Sequence, residues 1–351
     1  MKIIHTGDIH IGAAMGGLPR EKAALRKTEL LDGFYKLCSY AKQTGVEAVI
    51  VAGDLFDKND IPASLKKEVF AAIANAAPTR FFYASGNHDY DARLGALAPE
   101  NFYTFSELQS YELSEGVTVT GCDMLRFSAQ KAAALELPKT AYNIFVLHGD
   151  TGSEIPLAAL QNKHIDYLAL GHIHKPMPVK EPLDTRGFYR YCGCLEGRGF
   201  DELGPRGFFL LELVKGKLKE EKFLSLAKRT VHGVSVDISA CRGYMDIERA
   251  AEAALASIKS EDMVKLVLCG SYQPDLKKDI SLLCARFSEK FFFVKAEDRS
   301  RLFIDYRAFE NDLTERGEFV REVGRYAMSE ELREEILEVG LKALCGEEID
   351  L

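Results

Sequence analysis

The sequence predicts an α/β protein organised around a sheet, with its chemistry along one edge of that sheet. Apolar runs of strand length alternate with amphipathic helical stretches through the first half of the chain. A run of further strand-like segments follows. Five short clusters of metal-binding residues each close one of the apolar runs: Asp8-Ile9-His10, Gly53-Asp54, Gly86-Asn87-His88-Asp89, His148-Gly149 and Gly171-His172-Ile173-His174. Of the eight histidines, five (His10, His88, His148, His172 and His174) stand inside these clusters.

Residues 1–7 read as a strand, because Ile3 and Ile4 lead into a Gly7-Asp8 turn. Over 20–44 the residues Leu25, Leu30, Leu31, Phe34, Leu37, Cys38 and Ala41 fall on one stripe, which predicts a helix. The run 47–52, apolar throughout after Glu47, predicts a buried strand. Pro62 opens a second helix that runs to about Ala77 and is closed by Pro78. Strands are predicted at 81–83, 117–121, 144–147 and 167–170; 189–192, 208–214 and 219–224 read as antiparallel strands. Alternating βα units followed by strands predict a sheet-centred α/β sandwich, with ligands at the carboxyl ends of its strands.

From about residue 230 the pattern restarts: strands at 234–238, 264–268 and 291–294 alternate with helices at 246–258 and 275–288. This predicts a small α+β unit with no metal-ligand cluster of its own. Two amphipathic helices follow at 315–327 and 329–345, striped by Phe319, Val320, Val323 and Tyr326 and by Leu332, Ile336, Leu337, Leu341 and Leu344. The expected domains are therefore 1–229, 230–309 and an acidic helical segment 310–351.

A chain of 351 residues, 47% hydrophobic and 28% charged, has the make-up of an ordinary soluble protein of two domains. No apolar run approaches the ~20 residues of a membrane-spanning helix, and the start of the chain does not read as a signal peptide. The eight cysteines never form Cys-x-x-Cys, so buried free thiols in the cytoplasm are expected. The net charge of −8 is confined to the last segment: 1–230 carries 28 basic against 28 acidic residues, 231–309 carries 12 against 12, and 310–351 carries 5 against 13. The acidity thus does not exclude a phosphate-rich substrate for the first domain.

Carboxylates, imidazoles and one carboxamide from successive loops can hold two divalent cations side by side, a device for attacking phosphate esters. The spacing predicts Asp8, His10, Asp54 and His174 on one ion and Asp54, Asn87, His148 and His172 on the other, with Asp54 bridging. Oxygen donors mixed with imidazole suit Mn²⁺, Fe²⁺ or Zn²⁺. His88 follows a ligand directly and is expected to bind the phosphate and assist the leaving oxygen. Asp57 and Asp89 are candidates to orient imidazoles. Lys175, Arg186, Arg190, Arg198 and Arg206 are candidate phosphate contacts, Arg198 foremost.

The ordered set of clusters, with Gly53-Asp54-Leu55-Phe56-Asp57, resembles the calcineurin-like metallophosphoesterase superfamily. Asp8-Ile9-His10-Ile11-Gly12 and the run 191–207, which includes Gly193, Glu196, Gly197, Arg198, Glu202 and Gly204-Pro205-Arg206-Gly207, are similar to SbcD-type DNA exonucleases, most of all the YhaO-like branch. The resemblance is clear over about residues 1–215. It implies a four-layer α/β sandwich binding two Mn²⁺, with a small capping domain, and exonuclease or endonuclease action on DNA. It also implies a homodimer and an SMC-like ABC ATPase partner (SbcC/YhaN-type) contacted through the terminal helices. The implied ligands are Asp8, His10, Asp54, Asn87, His148, His172 and His174, with His88 catalytic. The sequence departs from its relatives at Cys194, where serine is common, and at Asp57, where some carry histidine. A phosphodiesterase or phosphatase acting on a small nucleotide or phosphoprotein, and an assembly subunit for the ATPase, are the alternative functions.

Overall fold

Two units compose the chain, Met1–Thr230 and Val231–Leu351. The computed structural model describes residues 1–351 apart from 93, 95, 96, 115, 274, 304–311 and 346–351. The expected boundary between 309 and 310 lies outside the described residues.

The first unit contains two six-stranded sheets. One has the order β12-β11-β1-β2-β3-β4, with β1 Lys2–Thr6, β2 Ala48–Ala52, β3 Arg80–Ala84, β4 Phe102–Thr104, β11 Phe208–Val214 and β12 Lys217–Leu224. The other has the order β5-β6-β7-β8-β10-β9, with β5 Gln109–Ser114, β6 Val117–Gly121, β7 Tyr142–His148, β8 Tyr167–Gly171, β9 Glu181–Pro182 and β10 Phe188–Tyr191. Strands β1 to β4 are mutually parallel, as are β6, β7, β8 and β10. Segment 189–192 is therefore a correction: β10 joins β8 in parallel, and only β9 runs against it. The short run 188–191 carries no signal that separates the two pairings, whereas β11 and β12 are antiparallel as expected.

The period-2 alternation of side chains builds four layers. Ala48, Ile50 and Ala52 of β2 face Ile144 and Val146 of β7 and Ala169 of β8 in the core between the sheets. Val49 and Val51 point the other way, against Phe34, Leu37 and Ala41 of helix α1 (Arg20–Gln43) and Val69 and Ile73 of helix α2 (Ala63–Asn75). On the far side, Phe145, Leu147, Leu168 and Leu170 are covered by Ala132 and Leu160 from two short helices, Ala129–Ala133 and Leu157–Leu160. The result is helix, sheet, sheet, helix.

The second unit holds a parallel three-stranded sheet of Val231–Asp237, Met263–Cys269 and Phe293–Asp298, with helices Tyr244–Leu255 and Ile280–Ser288. Helices Glu315–Gly324 and Glu330–Cys345 close the same core through Val320, Val323, Leu337 and Leu341. Much of their apolar stripe is thus consumed within the unit, while Tyr326, Leu332 and Leu344 stay exposed. No helix among the described residues is long and apolar enough to cross a membrane.

Candidate metal centre

All five motif clusters emerge at carboxyl ends of parallel strands: Asp8 and His10 after β1, Asp54 after β2, Asn87 and His88 after β3, His148 at the end of β7, and His172 and His174 after β8. The segments after β1 and β2 continue side by side, with the amides of Asp8, His10 and Ile11 donating to the carbonyls of Gly53, Asp54 and Leu55. This pairing turns the donors inward at a backbone cost. Asp8, His10, Asp54 and His172 are four of the seven described non-glycine residues with positive φ, at 47°, 51°, 48° and 105°. Such conformations are strained for side chains of this size and persist where the surroundings over-determine them.

Glycines make the close approach possible. A Cβ on Gly53 would meet His148 Nδ1 at 2.0 Å, and one on Gly86 would meet Asp54 Oδ1 at 2.1 Å. The Gly-Asp and Gly-Asn-His spacings therefore reflect steric room for the neighbouring cluster.

Asp54 stands at the centre. Its Oδ2 lies 3.6 Å from His10 Nε2 on one side and 3.4 Å from His148 Nε2 on the other. Around the first position His10 Nε2 is 3.1 Å from His174 Nε2. Around the second, Asn87 Oδ1 is 2.9 Å from His148 Nε2 and 3.2 Å from His172 Nδ1. Donors sharing an ion at ~2.1 Å sit about 3.0–3.4 Å from one another, and these separations, from 2.9 to 3.6 Å, fall within and close around that range. Asp8, Asp54 and His148 form one candidate ligand group and Asp8, His10 and His174 another. Asp8 thus stands near both positions, and its carboxylate also accepts the His172 amide at 2.8 Å.

The donor set fits a pair of divalent cations on electrostatic grounds. Asp8 and Asp54 are 0% and 1% exposed, yet among the described residues neither forms an ion pair with a lysine or arginine. Buried carboxylates without a cation are costly, and burial accordingly drives the Asp8 carboxyl well above its usual range. Burial also lowers His10, and it lowers His148 to about 4, so both imidazoles are neutral with lone pairs free.

Tautomers are set by carbonyls, which only accept. His148 Nδ1 donates to Ala52 O at 2.9 Å, turning Nε2 to the centre. His88 Nδ1 donates to Asp57 O at 3.0 Å, leaving Nε2 open on an exposed face beside His10, whose ring centroid is 4.7 Å away. The His88 amide donates to Asp54 Oδ1 at 2.9 Å.

The outer residues follow expectation only in part. Asp57 does face an imidazole, with Oδ1 3.2 Å from His10 Nδ1. Burial pushes its carboxyl up, but the adjacent His10 ring and Arg198 carry it below the usual range. Asp89, expected to orient a histidine, instead accepts the amides of Phe56 and Gly86 at 3.0 Å each. It fastens the Gly86–Asp89 turn to the segment after β2. Arg198, expected at substrate, is held by Glu202 Oε1 at 2.9 Å and lies 3.4 Å from Asp57. The other candidate phosphate contacts are also mostly engaged. Arg186 pairs with Asp166, while Arg190, 3% exposed, lies over Phe209 and meets Glu221. Arg206 is buried; Arg186 and Lys175 are exposed, and of these two Arg186 is held by Asp166. A basic residue after the last motif is not a free basic residue, because sheet packing absorbs long side chains.

Two features escaped the sequence reading. Glu202 contacts His174 Nδ1 at 2.7 Å, and Cys194 Sγ donates to its other oxygen at 3.6 Å. Its sequence signs are its place in the 191–207 run and the four-residue spacing from Arg198, neither of which points to His174. A buried charge network also underlies the 196–198 segment: Arg26, fully buried, binds Glu29, Glu196 and the Gly197 carbonyl, and Arg229 closes on Glu29 at 2.6 Å.

Two facing sheets that converge carboxylates and imidazoles at their strand ends define a metallophosphoesterase. The chain belongs to the family described as calcineurin-like phosphoesterase, which matches residues 1–176. It is 26% identical over 268 residues to the DNA double-strand break repair protein Mre11 of Methanopyrus kandleri, covering 64% of this chain and 57% of that protein. To the metallophosphoesterase YhaO of Bacillus subtilis it is 26% identical over 307 residues, covering 77% of this chain and 72% of that one. To the SbcD component of the nuclease SbcCD of Bacillus subtilis it is 24% identical over 258 residues, covering 58% and 64%. The chain thus spans little more than half of the Mre11 relative and under two thirds of the SbcD relative.

Proposed function

We propose that this protein is a binuclear-metal-dependent DNA nuclease, a 3′–5′ exonuclease with endonuclease capacity, loaded with two Mn²⁺. The observation that carries the metal reading is Asp54 Oδ2, buried between His10 Nε2 and His148 Nε2 at 3.6 and 3.4 Å. Asp8, His10, Asp54 and His174 would hold one ion, and Asp54, Asn87, His148 and His172 the other. Bound there, the pair supplies a water of lowered pKa and neutralises charge on a phosphate.

The protein's own contribution is placement. Asp89 and the paired segments after β1 and β2 fix the donors before substrate arrives. His88, anchored through Nδ1, presents Nε2 to hydrogen-bond the phosphate and give a proton to the departing sugar oxygen. Support for DNA comes from the relatives named for DNA break repair and as a nuclease. The motif resemblance to SbcD-type exonucleases extends the proposal to an SMC-like ABC ATPase of the SbcC/YhaN type as partner, a homodimer, and action in the cytoplasm.

Purified protein with Mn²⁺ should degrade labelled double- or single-stranded DNA and hydrolyse a chromogenic phosphodiester, both abolished by chelation and strongly reduced by His88→Ala. Ester cleavage without DNA degradation, even with the ATPase present, would transfer the reading to a small-nucleotide or phosphoprotein phosphoesterase. Turnover of neither would leave an assembly role.

A further inference from the structure

Glu202 is 3% exposed and lies in the loop between β10 and β11, yet its carboxylate is directed at the metal centre. Oε1 meets His174 Nδ1 at 2.7 Å and Arg198 Nη2 at 2.9 Å, while Oε2 accepts the Arg198 amide at 2.6 Å. Arg198 Nη2 also lies 2.9 Å from His174 Nδ1. The two neighbours ask for opposite tautomers. A carboxylate accepts, so it favours a proton on Nδ1 and a lone pair on Nε2. A guanidinium only donates, so it favours a lone pair on Nδ1 and a proton on Nε2. With that proton in place, Nε2 would point an N–H at His10 Nε2, 3.1 Å away, and could not ligate.

We propose that Glu202 is a positioning residue that selects the Nδ1–H tautomer of His174 and thereby readies Nε2 as a metal ligand. Arg198 serves as its counter-charge. The guanidinium compensates the buried carboxylate, spans to Asp57 at 3.4 Å, and by engaging Glu202 is kept from setting the imidazole itself. Asp57 faces His10 Nδ1 at 3.2 Å, so one guanidinium ties together the carboxylates behind both histidines of the first position. Partners of this kind usually contribute about 10–100-fold in metal affinity. This inference rests on the metal reading above and adds to it how one ligand is made competent.

The test is Mn²⁺ binding to metal-free protein by calorimetry and electron paramagnetic resonance, with folding checked by circular dichroism. Wild type should take up two ions, and Glu202→Gln should weaken one of them about 10–100-fold while leaving the other near its original affinity. In a His174→Ala background the same substitution should change affinity less than threefold. A second measurement needs no variant: ¹⁵N-histidine spectra of metal-free wild type should show His174 protonated at Nδ1. Wild-type affinity in Glu202→Gln, an undiminished loss in the His174→Ala background, or the Nε2–H tautomer in wild type would each overturn the role of Glu202. A wild type that takes up no Mn²⁺ would instead remove the metal reading, and this inference with it.

Discussion

The two units place carboxylates at the same topological position and use them in opposite ways. Both have parallel strands, and in both an aspartate stands at or just after the carboxyl end of such a strand. In the second unit Asp237 accepts from the Ser239 amide and hydroxyl, and Asp298 accepts from Ser300 and pairs with Lys278 at 2.8 Å. Both are exposed. Each carboxylate is satisfied within its own turn or by a lysine, and water completes its shell. In the first unit Asp8 and Asp54 are buried, sit on left-handed backbone and face imidazoles. A strand end in a parallel sheet is therefore only an opportunity. Burial without a compensating cation, reached through strained backbone, distinguishes a binding centre from a turn.

The comparison breaks most readily at its centre. Asp54→Ala removes the carboxylate oxygen that lies between His10 Nε2 and His148 Nε2, and the metal-dependent rate should fall on the order of 10³-fold or more, as loss of several kcal/mol of charge stabilisation requires. Steady-state hydrolysis of a chromogenic phosphodiester measures this; a loss of less than tenfold would mean the position is not shared. Next in size is the buried network behind the Arg198 segment. Glu29→Ala leaves Arg26 and Arg229 without their common carboxylate and should destabilise the first unit by about 3–5 kcal/mol in urea titration. Burial raises the Glu29 carboxyl, but hydrogen bonds from Arg229 and Arg26 overcome it and hold the group below its ordinary range. Its contribution to stability is thus present above the unfolded carboxyl value and is lost as pH falls through the folded one. The stability gap between wild type and Glu29→Gln should therefore narrow on acidification, and a gap that widened would contradict the assignment. Smallest is the matched change in the other unit: Asp237→Asn should leave Mn²⁺ stoichiometry and hydrolysis unchanged. A measurable loss of bound metal would erase the contrast between the two edges.

Much of the centre was legible because its parts are local in sequence. A short apolar strand, a glycine and a donor recur four times, and in the fifth cluster His148 ends the strand with Gly149 behind it, so strand, steric room and ligand are all encoded within a few residues. The helices α1 and α2 were legible for the same reason, since periodicity and flanking prolines mark them. Non-local pairings were not. The parallel partner of β10 depends on β8, and nothing inside 188–191 specifies it. Edge strands β4 and β5 were missed because Phe102–Thr104 is very short and Gln109–Ser114 is mostly exposed, giving little apolar signal. The same limit explains Arg190 and Arg206, which read as free cations and are buried, and Asp89, which lies beside a histidine in sequence but serves backbone amides. Glu202 reaches His174 across an intervening strand, a contact that only the folded chain displays.

Manganese anomalous diffraction from crystals grown with Mn²⁺ addresses the centre most directly. The account predicts two peaks roughly 3.5–4 Å apart, one beside His10 and His174, the other beside His148, His172 and Asn87, with Asp54 between them. A single peak remote from Asp54, or two sites that do not share it, would contradict the account.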